Sequence, residues 1–274
     1  MKKNKTAISL IGVLTAEVMI LFLLSIIWTG KSNALESRIA LETTAVSETP
    51  ATVSRTVKLA ETIIPENRAS GPPDYDRKKL HNIYKACKKS LILVNIKHAL
   101  KDDYKAALTP ICHGRLYASK GLQNSLNQML SDASQEGYQF WIASAYRSRK
   151  KQQRLVEEDI RKGMGRGLSY EEAVLDTYRE TMPPGHSEHE TGLALDILCS
   201  GNMRMDTSQK SEPGNKWLRR NCHKYGFILR YPKDKEDITG INYEPWHFRY
   251  VGKRAAAYMR EEHITLEEFW DRLE

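Results

Sequence analysis

An apolar run near the N-terminus is the feature that most constrains how this chain can fold. Residues 7–28 are almost all apolar, and Glu17 is the only charged residue among them. About 20 helical residues cross the hydrocarbon core of a bilayer, so the run is long enough to span a membrane. Three lysines precede it and only Lys31 follows closely, which places the N-terminus in the cytoplasm by the positive-inside rule. We therefore expect a single-pass protein of the cell membrane whose remaining residues are extracellular.

A cleaved signal peptide is the alternative interpretation of the same residues. The apolar region of a signal peptide is about 7–15 residues long, which is shorter than the run in this chain. Residues 32–34 read Ser-Asn-Ala and would make a poor cleavage site. Both interpretations export everything after Lys31.

The segment that follows the apolar run is predicted to be a linker. Residues 32–73 are rich in Ser, Thr, Ala and Glu, contain four prolines and have no aromatic residue. Such a composition buries too little apolar surface to fold by itself. The predicted organisation is therefore a cytoplasmic tail and transmembrane anchor in residues 1–31, a flexible linker in residues 32–73, and a folded domain in residues 74–274.

The formal net charge of +8 favours contact with polyanions. Because the folded domain is predicted to be exported, we expect an anionic cell envelope rather than nucleic acid as the polyanion that it meets. No sequence feature indicates self-association, and we expect a monomer.

Four cysteines are present, and none of them forms a C-x-x-C pair, so a cysteine-based zinc site is not expected. In an oxidising compartment the chain order predicts disulfides between Cys87 and Cys112 and between Cys199 and Cys222. Free buried thiols are the alternative.

Helical and strand patterns are mixed along residues 74–274 without regular alternation, which is typical of an α+β fold. Capping boxes at Ser169 with Glu172 and at Thr265 with Glu268 mark helix starts. Helices are predicted at residues 76–89, 120–135 and 215–225, after Ser148 and Ser169, and twice at the C-terminus. Strands are predicted at residues 91–94, 138–146, 193–198, 227–231 and 247–251.

Two histidine-containing segments carry the strongest indication of chemistry. Residues 184–196 read Pro-Gly-His-Ser-Glu-His-Glu-Thr-Gly-Leu-Ala-Leu-Asp, and residues 243–252 read Tyr-Glu-Pro-Trp-His-Phe-Arg-Tyr-Val-Gly. Together they supply two imidazoles, His189 and His247, and one carboxylate, Asp196. Three protein ligands with a fourth position open to water are the arrangement of a catalytic zinc site. We therefore expect Zn²⁺ to be bound by these three residues.

Glu244, three residues before His247, is the candidate general base. Pro245 cannot donate a ladder hydrogen bond, so Glu244 is expected in a bend just before the strand that holds His247. From there its carboxylate can accept a proton from water and pass it to a leaving amine. Neither an H-E-x-x-H nor a G-x-S-x-G motif occurs, so the common zincin and serine-hydrolase arrangements are absent.

These motifs resemble those of the VanY-type D-alanyl-D-alanine carboxypeptidases, a family of LAS-type zinc metallopeptidases. The first segment matches the signature S-x-H-x-x-G-x-A-x-D, and the second is similar to the family's E-x-W-H-type signature, here as Glu244-x-x-His247. Residues 144–148, Ser-Ala-Tyr-Arg-Ser, are similar to the element that supplies a substrate-binding arginine. Ala145 departs from the glycine of many relatives. The resemblance covers roughly residues 91–270.

The resemblance implies zinc at His189, Asp196 and His247, with Glu244 as the base. It also implies that Arg147 stabilises the oxyanion or holds a substrate carboxylate, and that Ser187 and Gln152 donate or accept substrate hydrogen bonds. The implied fold is a small antiparallel sheet surrounded by helices, as in Hedgehog and D,D-peptidase domains. The implied reaction is hydrolysis of the C-terminal D-Ala-D-Ala bond of a peptidoglycan stem peptide.

Several alternatives remain open at this point. The same site would suit a D-alanyl-D-alanine dipeptidase, an L,D-carboxypeptidase acting on tetrapeptides or a wall endopeptidase, and a zinc-stabilised wall-binding module would need no turnover. The remaining polar side chains near the motifs are predicted to be ordinary. We expect Glu188 and Glu190 to be solvated and Trp246 to pack structurally. The basic run from Arg147 to Arg154 is expected to form a mostly solvated helix face, from which only Arg147 and Gln152 point inward.

Overall fold

A four-stranded antiparallel sheet lies at the centre of the part of the chain that the structure describes. The structure is a computed structural model, and it describes residues 57–58 and 76–274. The strand order is β3-β4-β6-β5, and each neighbouring pair is antiparallel. The four strands are β3 (Phe140–Ser144), β4 (Ala194–Cys199), β5 (Phe227–Leu229) and β6 (His247–Tyr250). With the helices around it, this sheet confirms the predicted α+β class.

A two-stranded hairpin that the sequence did not predict lies beside this sheet. It pairs β1 (Leu108–Ile111) with β2 (Leu116–Ser119). The amide of Ser119 donates to the carbonyl of Gly192 at 2.8 Å. Gly192 has φ +71°, and a Cβ there would stand 3.0 Å from both Leu108 Cδ2 and Ser119 N. This approach therefore requires glycine, and it anchors the hairpin just before β4.

Helices surround the sheet, and their starts agree with the predicted caps. Ser148 and Ser169 accept backbone hydrogen bonds at the starts of two helices, and the capping boxes at Ser169 and Thr265 are both formed. One four-residue helix was not predicted. The helices are α1 (Arg77–Cys87), α2 (Gln123–Gln135), α3 (Arg149–Gly165), α4 (Tyr170–Tyr178), α5 (Pro213–Asn221), the unpredicted α6 (Glu236–Thr239), α7 (Lys253–Glu262) and α8 (Leu266–Asp271).

Apolar side chains on one face of the sheet pack against α2 and α5. Ile197 and Phe248 from the sheet meet Leu126 and Met129 from α2 and Trp217 from α5, and all five are at most 2% exposed. A second cluster lies between α3 and α4. It includes Val57, a buried residue within the segment that the sequence assigned to the linker. Part of that segment therefore packs on the folded domain.

Two predictions about local structure are wrong. Residues 91–94 do not form a strand, because their backbone carbonyls bind side chains instead: Leu91 O accepts from Trp270 Nε1 at 2.9 Å, and Ile92 O from Arg249 Nη2 at 2.7 Å. The predicted disulfides are also not formed. All four cysteines lie in the described residues and are free, because the two members of each predicted pair pack in different environments. Cys87 lies beside α7 and α8, whereas Cys112 packs against the apolar cluster between the sheet, α2 and α5. Cys222 belongs to that same cluster, whereas Cys199 lies near Gly214.

The predicted membrane anchor, residues 7–28, lies outside the described residues. Among residues 57–58 and 76–274, no helix has the length and apolarity needed to cross a membrane.

Candidate metal centre and active site

The register of the sheet brings two of the three candidate metal ligands together. Asp196 on β4 is the Cα partner of His247 on β6, and Ser144 on β3 is its partner on the other side. Residues opposite each other in antiparallel strands point to the same face. The carboxylate and the imidazole therefore project side by side, with Asp196 Oδ1 3.5 Å from His247 Nδ1.

His189 reaches the same point from a short 3-10 turn, Glu188–Thr191, which Gly192 ends in the left-handed conformation. Its Nε2 atom lies 3.3 Å from Asp196 Oδ2. Its Nδ1 atom lies 2.7 Å from the carbonyl of Ala145, an acceptor, so Nδ1 carries the hydrogen and donates it. This contact leaves the Nε2 lone pair facing Asp196 and His247.

The three ligand atoms of His189, Asp196 and His247 all lie within 4.8 Å of one another, and all three residues are buried. Asp196 Oδ1 has no hydrogen-bond partner among the described residues. A buried carboxylate oxygen without a partner is costly unless it meets a cation. Two imidazole nitrogens and one carboxylate oxygen are also the donor types of catalytic zinc sites. The geometry thus fits a divalent ion such as zinc.

The electrostatics of the cluster keep its members in different protonation states. Burial lowers the pKa of His189, so its ring is neutral. Burial opposes ionisation of Asp196, but the neighbouring His189, His247 and Arg147 outweigh it and lower its pKa. Burial also opposes protonation of His247, yet Glu188, Glu244 and Asp196 together raise its pKa to about 9. An ion that binds here must therefore displace a proton from His247.

Glu244 sits beside the ligands in the bend that Pro245 was expected to impose. Its Oε2 atom lies 3.2 Å from His247 Nδ1, and its backbone amide donates to the carbonyl of Tyr231 at 3.1 Å. The Pro245 carbonyl accepts from Asn215 Nδ2 at 2.6 Å, which holds the bend. Burial raises the pKa of Glu244 to about 7, with His247 opposing the shift. A carboxyl group with such a pKa can both accept and donate a proton near neutrality.

Arg147 lies across the cluster from Glu244 and is held by several contacts. Its Nη1 donates to Gln152 Oε1 at 2.8 Å, its Nη2 donates to Ser144 Oγ at 3.1 Å, and Nη2 is 3.9 Å from Asp196 Oδ2. Gln152 is fully buried, and its Nε2 donates to the carbonyl of Met182 at 2.6 Å. Gln152 thus holds Arg147 through its Oε1 atom while its Nε2 atom is bound to the backbone of Met182.

These residues face one cavity of about 620 Å³. Ser187, another candidate substrate-binding residue, also lines it, as does Trp246, which was expected to pack structurally. Met205, Thr207, Glu236, Asn242 and Tyr243 also line the cavity. The structure thus brings all seven sequence-predicted site residues to one cavity or its immediate support.

The expectation that Glu188 and Glu190 are solvated is wrong. Glu188 is 2% exposed, and its Oε1 accepts from Arg230 Nε at 2.7 Å and from Arg249 Nη1 at 2.6 Å. Burial opposes ionisation of Glu188, but these two guanidinium groups outweigh it and lower its pKa. Glu190 is also buried and accepts from the amide of Gly185 at 2.7 Å.

Arg149, predicted to lie on a solvated helix face, donates through Nε to Glu190 at 3.3 Å and through Nη1 to Asp102 at 2.6 Å. Its side chain remains 43% exposed. No sequence pattern identified these partners, because they lie far away along the chain.

Comparison with known proteins agrees with this geometry. The protein-family model described as VanY, D-alanyl-D-alanine carboxypeptidase, matches residues 115–253 of this chain. These residues include every candidate site residue. The chain belongs to the VanY family. The match contains β2 to β6 and both histidine segments, so the family identity applies to the sheet and to the candidate site together.

Three VanY relatives illustrate the likeness. A D-alanyl-D-alanine carboxypeptidase of Enterococcus faecium is 40% identical over 159 residues, which are 58% of this chain and 45% of that protein. The structure of VanYB in complex with D-alanine-D-alanine is 33% identical with a TM-score of 0.62, covering 68% of this chain and 99% of that one. A D,D-pentapeptidase VanY mutant from a VanB-type vancomycin resistance cassette, solved with Zn(II), is 33% identical with a TM-score of 0.61, covering 66% and 99%.

Proposed function

We propose that this protein is a zinc-dependent D-alanyl-D-alanine carboxypeptidase that removes the terminal D-alanine from peptidoglycan stem peptides. The observation that carries the proposal is a buried carboxyl group, Glu244, 3.2 Å from one member of a buried cluster of His189, Asp196 and His247. Family membership supports it, as do the relatives solved with Zn(II) and with D-alanine-D-alanine.

In this proposal His189 Nε2, one oxygen of Asp196 and His247 Nδ1 hold the ion. When bound, zinc supplies Lewis acidity to the scissile carbonyl and to a water molecule. Glu244 accepts the proton of the attacking water and then donates it to the departing amine of D-alanine. Its raised pKa suits both steps, because each protonation state is accessible near neutral pH.

Arg147 provides fixed positive charge on the opposite side of the cavity. Two of its five N–H groups are used by Gln152 and Ser144. The remaining donors can bind negative charge on the substrate, either the terminal carboxylate or the developing oxyanion. Ser187 lines the same cavity and is proposed as a further substrate hydrogen-bonding group. Gln152 is proposed to hold Arg147, because its Oε1 accepts from Arg147 Nη1, and it lines the same cavity as a further candidate for contact with substrate.

The proposal is tested by incubating the full chain with purified stem peptides and weighing the products. Loss of one D-alanine from a pentapeptide is expected. Hydrolysis of free D-alanyl-D-alanine in preference to the pentapeptide, cleavage of a tetrapeptide or cleavage of a cross-link would instead indicate the dipeptidase, L,D-carboxypeptidase or endopeptidase alternatives, respectively. Glu244→Ala is the control: it should lower turnover by about 10²–10⁴-fold while zinc content stays the same. Zinc binding without any turnover would favour a wall-binding module.

We also propose the domain organisation and location described for the sequence: an anchor in residues 1–31, a linker in residues 32–73 that contacts the folded domain at Val57, and an extracellular monomeric domain in residues 74–274. The apolar run and its flanking lysines support the anchor. Fractionation of cells that express the chain with and without residues 1–31 tests it, and extracellular protease should cleave within the linker. Light scattering tests the monomeric state.

A further inference from the structure

A network of four buried charged side chains lies next to His247, and one of them, Glu188, also lines the cavity. Glu188 and Arg230 have side chains with no exposed surface, and so does Arg249. Arg230 also donates through both terminal nitrogens to Glu267, at 2.7 and 2.5 Å. Glu267 in turn accepts from Asn95 Nδ2 at 3.0 Å. The network thus runs from α8 to the turn that carries His189.

One carboxylate oxygen of this network has no hydrogen-bond partner among the described residues. That oxygen is Glu188 Oε2, whereas Glu188 Oε1 accepts from both arginines. His247 Nε2 likewise has no hydrogen-bond partner among these residues. These two buried atoms face each other at 3.4 Å. An unpaired buried donor or acceptor is costly, so a hydrogen bond between these two atoms would satisfy both of them.

The other nitrogen of the same ring points at the metal cluster. His247 Nδ1 lies 3.5 Å from Asp196 Oδ1 and 3.2 Å from Glu244 Oε2. A hydrogen held on Nε2 by Glu188 therefore leaves the Nδ1 lone pair directed at the ion. Outer partners of this kind set the tautomer and the orientation of a ligating histidine. His189 has the opposite arrangement, because its Nδ1 hydrogen goes to Ala145 O.

We propose that Glu188 is a positioning residue for zinc: it holds the Nε2 hydrogen of His247, and Arg230 and Arg249 hold Glu188. The inference rests on the proposed metal site but adds a residue outside the ligand set. Arg230 and Arg249 each bind a second partner, Glu267 for the first and the carbonyls of Ser90 and Ile92 for the second. Their positions are therefore fixed independently of Glu188.

The experiment compares zinc affinity in the full chain and in two variants, by competition with a chromophoric chelator. Glu188→Gln removes the acceptor charge next to His247 and should weaken zinc binding by about 10–100-fold. Glu267→Gln is the matched control, since it removes a charge from the same network on the far side of Arg230. It should retain the parent's zinc affinity even where thermal melting of the metal-free variants shows similar destabilisation.

Unchanged zinc affinity in Glu188→Gln, or an equal loss in Glu267→Gln, overturns the positioning role and leaves the proposed function intact. Failure of the parent chain to bind zinc overturns the proposed function itself. Where Glu188→Gln does not fold, a two-bond ¹H–¹⁵N spectrum of the unsubstituted, zinc-loaded chain decides. His247 should carry its hydrogen on Nε2 and His189 on Nδ1, and a hydrogen on His247 Nδ1 overturns the inference.

Discussion

The Oε2 atom of Glu244 lies 3.2 Å from Nδ1 of His247, and both side chains are buried. The start of β6 and the bend at Pro245 hold the two side chains at this distance. The protonation of each therefore influences the pKa of the other and the binding of an ion between them. The pKa values of this pair lead to three measurable expectations.

The first concerns the pH dependence of turnover. Glu244 acts as a base only when ionised, and its pKa is raised from 4.5 to about 7. A bound cation lowers that pKa, so the acid limb of kcat/KM should have its midpoint between these two values. Activity falls as pH decreases through the midpoint. A pH–rate profile on a stem pentapeptide measures it, and a midpoint below 4.5 would contradict the role of Glu244.

The second concerns the stability of the metal-free protein. A raised folded-state pKa means that the contribution of Glu244 to stability is fully present below its unfolded pKa and lost as pH rises through about 7. At pH 8 the folded protein must bury an ionised carboxylate. Glu244→Gln should therefore stabilise the metal-free chain at pH 8 by on the order of 2 kcal/mol, and by less at pH 5. Urea unfolding at both pH values tests this, with the exposed Asp103→Asn as the control that shows no such difference.

The third concerns the uptake of zinc. The pKa of His247 is raised to about 9, so its ring is protonated at neutral pH in the metal-free protein. Zinc binding must release that proton, and apparent affinity should fall by about tenfold for each pH unit below the pKa. Calorimetry at pH 7 in two buffers of different ionisation enthalpy counts the protons. Release of at least about one is expected, because a bound cation also lowers the pKa of Glu244, and release of none would contradict the role of His247.

Substitution of Arg147 tests the cationic side of the cavity. Arg147→Lys keeps the charge but loses the planar fork that Gln152 and Ser144 position. We expect kcat/KM to fall by about 10²–10³-fold with zinc content unchanged. A rise in KM alone would indicate that Arg147 holds the substrate carboxylate, and an equal fall in kcat would indicate the oxyanion. Lys150→Ala, an exposed residue on α3, should leave both constants unchanged.

Gly192 provides a test of the backbone that supports the site. Gly192→Ala combines φ +71° with a Cβ only 3.0 Å from Leu108 Cδ2 and Ser119 N. We expect a loss of about 1–3 kcal/mol in the free energy of unfolding. Gly201→Ala is the matched control, because nothing lies within 4 Å of its Cβ position. Equal stability of the two variants in urea would show that the hairpin does not need this contact.

The sequence predicts those parts of the structure whose causes are local. The Ser169 and Thr265 capping boxes involve partners three residues apart, and both form. The alternation of residues 193–198 predicts β4 because the side chains of a strand alternate between its faces. Residues 91–94 have the same apolar character, but Arg249 and Trp270 bind their carbonyls. Those partners are distant in sequence, so the missing strand had no local signal.

The candidate site divides in the same way. The spacing within two segments identifies His189, Asp196, Glu244 and His247 as candidate site residues. The register of β4 with β6 then places Asp196 opposite His247. The sequence predicts a solvated Glu188 because its segment has the character of an exposed loop. Its burial depends on Arg230 and Arg249, which come from two other parts of the chain. Only the folded sheet reveals that charge compensation.

Of the buried charges next to His247, Arg249 belongs to β6 and Glu267 to α8, whereas Arg230 directly follows β5 and Glu188 lies in the turn that carries His189. Other residues that line the cavity belong to loops, as Asn242 and Tyr243 do, or to the short α6, as Glu236 does. A change of charge or size at Glu236, Asn242 or Tyr243 would alter which peptides enter, while the three proposed ligands and Glu188 would keep their contacts. The same metal site can in this way act on peptides of different length, and the residues of the loops and α6 that line the cavity decide which peptide reaches it.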